Sequence, residues 1–218
     1  MLRLCRTTVP GQKRGEGRNM GRYLGPKDRL SRRENFDLFG KGSKITRLSV
    51  PPGMHGHKGT RKVSEYGSQL REKQKVKRMY GLMERQLRKY IGQALKTLGN
   101  TTNVLFALLE RRLDNVVFRL GFAPTRPAAR QLVSHRHVTV NGKVVNIPSY
   151  QVEKDNLISL TAKGVKVPST KLKLEAKDHN LPDWLQKKAL VGKVSRLPIR
   201  DDVQEEIDDA GVIEFYSR

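Results

Sequence analysis

Residues 110–146 constrain the fold of this chain most, because they join two short amphipathic helices to a hairpin. Apolar residues recur there at i, i+3, i+4 and i+7, as Leu113, Val116, Val117 and Leu120. This spacing predicts a helix with one buried stripe and a wet, mostly cationic opposite face. The stretch contains no side chains arranged for catalysis. It therefore predicts a compact basic surface suited to RNA.

A second helix is expected to begin directly after Thr125, whose side chain can cap it. Pro127 suits the first turn of a helix, where a missing backbone N–H costs nothing. Arg126 and Arg130 would then lie one turn apart on a common face, with Ala129 and its apolar neighbours turned towards the core. The second helix thus repeats the basic and apolar division of the first.

A hairpin follows, with Asn141-Gly142 at its tip. This dipeptide between two Val-rich segments is a strong hairpin signal, because both central residues of a type I′ turn need positive φ. Residues 157–160 are predicted to form a further strand that pairs with the hairpin. We therefore expect a small α+β module, two helices on a short antiparallel sheet.

The charge of the chain indicates a polyanionic partner. It has 44 Lys and Arg against 21 Asp and Glu, a formal net charge of +23 and a pI of about 10.5, which is typical of nucleic-acid-binding proteins. Residues 1–100 hold 25 basic and 7 acidic side chains (+18), and residues 101–200 hold 18 and 7 (+11). The N-terminal part is therefore expected to contribute most of the attraction.

The last 18 residues differ, with 1 basic and 7 acidic side chains (−6). The acidic residues of the segment 201–209 cannot face phosphate without a cost. Two interpretations stay open: the segment is solvated, or it faces a basic neighbouring protein.

Several motifs resemble one family in that family's order. RLDNVVFRLGF from Arg112, followed by TRPAARQLVSH and VNGKVVNIPSYQV, is similar to the RNA-binding module of the small-subunit ribosomal protein four family. MGRYLGPKDRLSRRENFDLF from Met20, PPGMHG from Pro51, SEYGSQLREKQKVKRMYGLMERQLRKY from Ser64 and the ending VIEFYSR also resemble it. The resemblance covers most of the chain. It implies an α+β fold in which the module is inserted in a mostly helical N-terminal domain.

The resemblance implies a structural rRNA-binding protein that nucleates small-subunit assembly at a multi-helix rRNA junction and contributes to translational accuracy. Its partners would be small-subunit rRNA, neighbouring small-subunit proteins and mRNA near the path along which mRNA enters. It would work on cytoplasmic ribosomes, with organellar ribosomes as a weaker alternative, and it would be no enzyme and need no cofactor. The basic residues expected to contact RNA are Arg22, Arg29, Arg32, Arg33, Arg47, Lys58, Arg61, Lys62, Arg71, Lys73, Lys75, Lys77, Arg78, Arg111, Arg112, Arg126, Arg130, Arg136 and Lys143. Among them, Arg47, Lys58, Arg61 and Lys62 are the candidates for mRNA contact.

Many members of this family place four cysteines near the N-terminus as a zinc site. Here Asp28 and Ser31 stand where cysteines would be expected, and Cys5 is the only cysteine of the chain. The histidine pairs His55/His57 and His135/His137 lack nearby Cys or acidic partners and are weak evidence for a metal. We therefore expect no metal, and a reducing compartment.

Residues 64–98 are strongly helical in propensity, with Gly99-Asn100 as the stop. Arg and Lys crowd residues 71–78 too densely for packing and would repel one another at i, i+4 spacing, so a bound anion is expected there. Apolar residues recur with a period near 3.6 and are assigned to a core rather than to base stacking; they are Tyr80, Met83, Leu87, Tyr90, Ile91, Ala94 and Leu98.

Beyond the module we expect a lysine-rich connector formed by Lys163, Lys166, Lys171, Lys173 and Lys177. Trp184 is expected near a helix start, as a buried anchor to the first domain. Residues 197–201 and 212–216 look like terminal extended pieces. The expected domains are a disordered basic extension at 1–19, with a short transit peptide as the alternative, a helical domain at 20–109 plus about 171–218, and the module at 110–170.

The same kind of module occurs beside catalytic domains in RNA-modifying enzymes and ribosome-rescue factors, so an enzyme remains the alternative. The sequence contains no phosphate-binding loop, H-E-x-x-H or G-x-S-x-G motif, which favours binding over catalysis. No run of residues approaches the roughly 18 apolar residues of a membrane span. We therefore expect no membrane partner.

Overall fold

Buried apolar side chains form two separate cores in the computed structural model, one among helices and one between helices and a sheet. The structure describes residues 23, 25–42, 45–59, 62–175 and 181–217. The expected extension at 1–19, the candidate contacts Arg22 and Arg61, and Lys177 of the expected connector lie outside these residues. The helices are α1 (Lys27–Glu34), α2 (Glu65–Met79), α3 (Glu84–Lys96), α4 (Thr101–Glu110), α5 (Leu113–Arg119), α6 (Arg126–Ser134), α7 (Ala162–Val165), α8 (Pro168–Glu175) and α9 (Asp209–Ser217). The strands are β1 (Val138–Val140), β2 (Lys143–Val144), β3 (Leu157–Leu160), β4 (Leu185–Lys188) and β5 (Val191–Val194).

The helical core is built by α2, α3, α4 and α9. Val76, Leu87, Ile91 and Leu109 are at most 1% exposed and lie at its centre. They recur at helical spacing within their elements, so each helix buries one face. The α+β fold class and the mostly helical first domain are thus confirmed.

The expected continuous helix over residues 64–98 is wrong, because the chain turns sharply between α2 and α3. Gly81 adopts φ +62°, and the Leu82 amide donates to the Lys77 carbonyl at 2.9 Å, a pattern that ends a helix. Met83 (48% exposed) lies just before α3 and Leu98 (98% exposed) lies just after it, so both are outside the core assigned to them. Gly81 carried the signal for this turn in the sequence.

The module has the expected two helices on an antiparallel sheet. The Thr125 side chain accepts a hydrogen bond from the Ala128 amide and caps α6. Asn141 (φ 50°) and Gly142 (φ 79°) form the β1–β2 turn, and Val140 pairs with Lys143 across it. The hairpin and the pairing of β3 with β1 are therefore confirmed.

The sheet has five strands in the order β2-β1-β3-β5-β4. The expected helix at Trp184 is wrong, because residues 185–188 form β4, which pairs with β5 across a two-residue turn. Trp184 is buried as expected, but it packs in the core of the module rather than against the first domain. The sheet thus includes residues that the expected domain division assigned to the helical part.

The C-terminal segment also differs from its expected extended form. Residues 209–217 are helical as α9 and pack on α2. The Gln69 amide donates to Glu214 at 2.7 Å, and the Tyr216 hydroxyl donates to Glu84 at 2.5 Å. These tertiary contacts outweigh the local preference of Val212 and Ile213 for extended structure. The lysine-rich connector likewise contains the short helices α7 and α8.

Candidate nucleic-acid interface

Five of the expected RNA contacts are exposed cations on the helical domain. Arg29 and Arg33 lie on α1, Arg47 and Lys58 on the following loop, and Lys62 just before α2. Within the described residues, no side chain of the five donates a hydrogen bond or forms an ion pair. Their positive charges are therefore available to an external anion.

Helix α3 carries a second basic face that was missing from the expected set. Leu87, Ile91 and Ala94 point into the core, so the stripe of Arg85, Arg88, Lys89 and Lys96 faces outward and is exposed. The signal was present in the sequence, because these residues recur at i, i+3, i+4 and i+11. The expected set instead took its basic residues from α2, where Arg and Lys are more densely spaced.

The module presents Arg136 and Lys143, both exposed. Arg136 lies directly after α6 in the left-handed region, at φ 63°, where the His137 amide donates to the Leu132 carbonyl. Glycine is the usual residue at this position. An arginine that keeps an unfavourable backbone conformation at an exposed turn is a sign of function.

Two expected contacts are buried inside the protein and need correction. Arg112 is 1% exposed, donates two hydrogen bonds to Asp114 at 3.1 and 2.7 Å, and donates a third to Tyr90. Lys73 is 5% exposed and donates to Glu84 at 3.0 Å. Since their charges are already compensated and shielded from solvent, both residues serve the fold.

A further group of expected contacts is partly buried and hydrogen-bonded within the chain. Arg32 donates to the carbonyls of Val50 and Pro51, Arg111 to Val152, and Arg130 to Gly81. The ion pairs of α2 are Arg71 and Arg78 with Glu34, Lys75 with Glu72, and Lys77 with Glu84. Much of the self-repulsion expected on α2 is therefore offset by internal carboxylates.

Arg126 lies at the seam between the helical domain and the module. Its guanidinium carbon is 5.0 Å from the Tyr80 ring centre and 4.8 Å from that of Phe118. Its Nε donates to Asn115 at 2.9 Å, and its Nη2 donates to Glu205 at 2.7 Å. One guanidinium thus joins the end of α2, helix α5 and the C-terminal segment. Arg126 therefore stabilises the contact between the two cores.

The seam continues as a network of buried charges. Arg119 donates to Glu110 and to Glu205, and Tyr80 donates to Glu110 at 2.6 Å. Burial raises the pKa of Glu205, but Arg119 and Arg126 outweigh it and lower the pKa to about 2. Burial also raises the pKa of Tyr80, and the Glu110 carboxylate raises it further. Glu205 is therefore ionised at neutral pH, and the network joins the two cores.

The acidic segment has an internal role that neither open interpretation foresaw. Besides Glu205, Asp202 pairs with Arg196 at 2.6 Å and Asp209 pairs with Arg200 at 2.6 Å. The first contact joins the segment to the chain just after β5, and the second joins Arg200 to the start of α9.

Within the described part of the chain, no three His, Cys, Asp or Glu side chains are placed to hold a metal ion. Asp28 pairs with Lys41 at 2.5 Å, and Ser31 is buried in α1. The rings of His135 and His137 lie 6.0 Å apart near the end of α6. None of the helices in the described ranges has the length and apolar content to span a bilayer.

Comparison with known proteins matches both parts of the chain. A model described as the ribosomal protein S4/S9 N-terminal domain matches residues 22–110, and one described as the S4 domain matches residues 111–158. The chain is 45% identical over 201 residues to the small ribosomal subunit protein uS4 of Amoebophilus asiaticus and, equally, to that of Parabacteroides distasonis. Each alignment covers 91% of this chain and 100% of the relative. The chain therefore belongs to the uS4 family of small ribosomal subunit proteins.

Proposed function

We propose that this protein is a structural rRNA-binding component of the small ribosomal subunit and nucleates assembly at a multi-helix rRNA junction. The proposal depends on one observation: some cations of the protein are paired with its own carboxylates, and others are exposed. Those at the seam and in the cores are paired with carboxylates. A second set is exposed and, within the described residues, forms no side-chain hydrogen bond or ion pair: Arg29 and Arg33 on α1, the α3 stripe, and Arg136 and Lys143 on the module. Exposed cations in excess self-repel, and a polyanion relieves that repulsion.

The proposed surface has two parts. On the helical domain it comprises Arg29, Arg33, Arg47, Lys58 and Lys62 together with the α3 stripe, and on the module it comprises Arg136 and Lys143. Among the described residues, neither part presents exposed aromatic side chains in a row, so recognition would depend on RNA shape and phosphate contacts. The contribution to translational accuracy and the contact of Arg47, Lys58 and Lys62 with incoming mRNA belong to the same proposal.

Neighbouring small-subunit proteins are the second class of partner, and the cytoplasmic ribosome is the proposed location. The enzyme alternative is not favoured. The match to the two ribosomal subunit proteins named above covers their full length. The sequence outside the module is therefore similar to ribosomal-protein sequence and not to a catalytic domain.

Footprinting of a small-subunit rRNA transcript tests this function. Wild-type protein should protect backbone positions around one helix junction, and the double variant Arg136→Ala/Lys143→Ala should lose the protections made by the module. The control is Gln131→Ala, an exposed change on α6 that removes no charge. The same protection with the double variant would rule out the assigned role of the module, and no protection by wild type would rule out the function.

A further inference from the structure

A cleft of about 530 Å³ opens between α1, the loop after Ser49 and the start of α2. Its lining combines two kinds of surface. Arg32, Arg33 and Arg71 supply guanidinium groups, and Pro51, Pro52 and Val63 supply apolar surface. Pockets that bind small organic ligands have volumes of roughly 300 to 1,000 Å³, so the cleft is large enough for one nucleotide.

The charges beside this cleft are unbalanced. Glu34 is buried in α1, and its Oε1 accepts from Arg71 at 3.4 Å and also from Arg78. The positive charges of Arg33 and Lys75 also attract this carboxylate and lower its pKa. Burial raises the pKa of Glu34 despite these four cations. Lys75 also pairs with Glu72 at 2.7 Å, so two carboxylates face four cations. The site is still net positive, and an anion would neutralise it.

The walls of the cleft are held in place before any ligand binds. Arg32 donates to the Val50 carbonyl at 2.9 Å and to the Pro51 carbonyl at 3.1 Å, which fastens the loop to α1. Gly56 packs so closely that an added Cβ would lie 2.1 Å from the Pro51 carbonyl oxygen. Since the loop is fixed by these contacts, little conformational entropy would be lost on binding.

We propose that this cleft binds a single extrahelical nucleotide of the rRNA. Arg33 and Arg71 bind its phosphate, and the base lies against the prolines and Val63. Guanidinium groups suit phosphate oxygens, and unstacked bases in RNA loops are commonly bound against side-chain planes. The proposal deepens the proposed function and rests on it, because the nucleotide belongs to the RNA that the surrounding surface contacts.

Adenosine 5′-monophosphate is the probe, titrated into the ¹⁵N-labelled full chain and followed by NMR. We expect saturable shifts of the Asn35, Val63 and Gly67 amides. Adenosine lacks the phosphate, and inorganic phosphate lacks the base. Each should bind at least about tenfold more weakly than the mononucleotide, because each loses the contacts of the missing group. Absence of saturable shifts, or equal binding of phosphate alone, would overturn the nucleotide assignment.

Arg33 and Arg29 provide a matched pair, since both are exposed on α1 and only Arg33 lines the cleft. Arg33→Ala should weaken binding of the mononucleotide about tenfold, and Arg29→Ala should change it less than about twofold. On the rRNA transcript, Arg33→Ala should also lower affinity more than Arg29→Ala. If the two variants weaken binding of both ligands equally, Arg33 contacts only the RNA backbone, as Arg29 does, and the cleft is not a nucleotide site.

The two proposals can fail separately. If the wild type binds rRNA with steep salt dependence but the mononucleotide does not bind, only the cleft is wrong. If the mononucleotide binds but rRNA does not, the proposed function is wrong, and the assignment of the bound nucleotide to rRNA is wrong with it.

Discussion

Arg112 and Arg136 carry the same guanidinium, yet their surroundings give them different roles. Arg112 is enclosed with Asp114 and Tyr90, so its charge is compensated inside the protein. Arg136 lies in an exposed turn and, among the described residues, makes no hydrogen bond through its side chain. Residue type alone could not separate them, because burial depends on how α4, α5 and residues 147–152 pack together.

Arg112→Ala should lower the free energy of unfolding by about 3 to 5 kcal/mol, because Asp114 would remain buried without its partner. Urea denaturation measures the change. Arg111, the neighbouring residue, is only partly buried, and Arg111→Ala is the control, with a smaller loss. Equal losses for the two variants would contradict the internal role of Arg112.

Arg136→Gly separates stability from binding at a single position. Glycine adopts φ 63° without strain, so the free energy of unfolding should rise by about 0.5 to 1 kcal/mol. Affinity for the rRNA transcript should fall, because one phosphate contact is lost. If the variant is more stable and binds RNA as well as the wild type, Arg136 is not a contact.

Glu205→Gln should lower the free energy of unfolding by about 1 to 3 kcal/mol at pH 7, since Arg119 and Arg126 would lose a shared carboxylate. The folded pKa of about 2 lies below the ordinary value of 4.5, so the contribution is present above pH 4.5 and is lost as pH falls towards 2. Denaturation of both proteins from pH 7 to pH 3 should show their difference shrinking below pH 4.5. Exposed Glu206→Gln is the control, and a difference that is independent of pH would contradict the account.

At the scale of elements, local signals predicted what local contacts determine. Thr125, the spacing from Leu113 to Leu120 and Asn141-Gly142 each act within a few residues, and the structure has the helices and the hairpin that they predict. Strand β4 and helix α9 were mispredicted because partners far away in sequence determine them. β4 needs β5 and the sheet edge at β3, and α9 needs the side chains of α2.

Gly81→Ala tests the break between α2 and α3. No neighbour would clash with the added methyl group, so the cost comes from φ +62°, and the free energy of unfolding should fall by about 1 kcal/mol. Gly92 lies inside α3 with equal space around it and no positive φ. Gly92→Ala should raise stability by up to about 1 kcal/mol, and a loss there equal to that at Gly81 would contradict the assigned cause.

For the whole molecule, the charge excess could be counted from the sequence, and the fold class and the order of helical domain and module could be predicted from it. It could not predict that Arg126 joins the two cores, because Glu205 is 79 residues away from it. We propose a module that extends to Val194, since β4 and β5 complete its sheet. The seam between module and helical domain is then a charged, closely packed contact that holds the two proposed RNA-binding surfaces in one orientation.

The salt dependence of rRNA affinity tests the central claim, that exposed cations on both parts bind one RNA. If roughly six to ten phosphates are contacted, log K should fall with log salt at a slope of about −5 to −9. Arg85→Ala/Arg88→Ala on α3 and Arg136→Ala/Lys143→Ala on the module should each make that slope shallower by about 2, with little change in the free energy of unfolding. A nearly flat slope for the wild type, or a slope that changes with only one of the two double variants, would contradict the account.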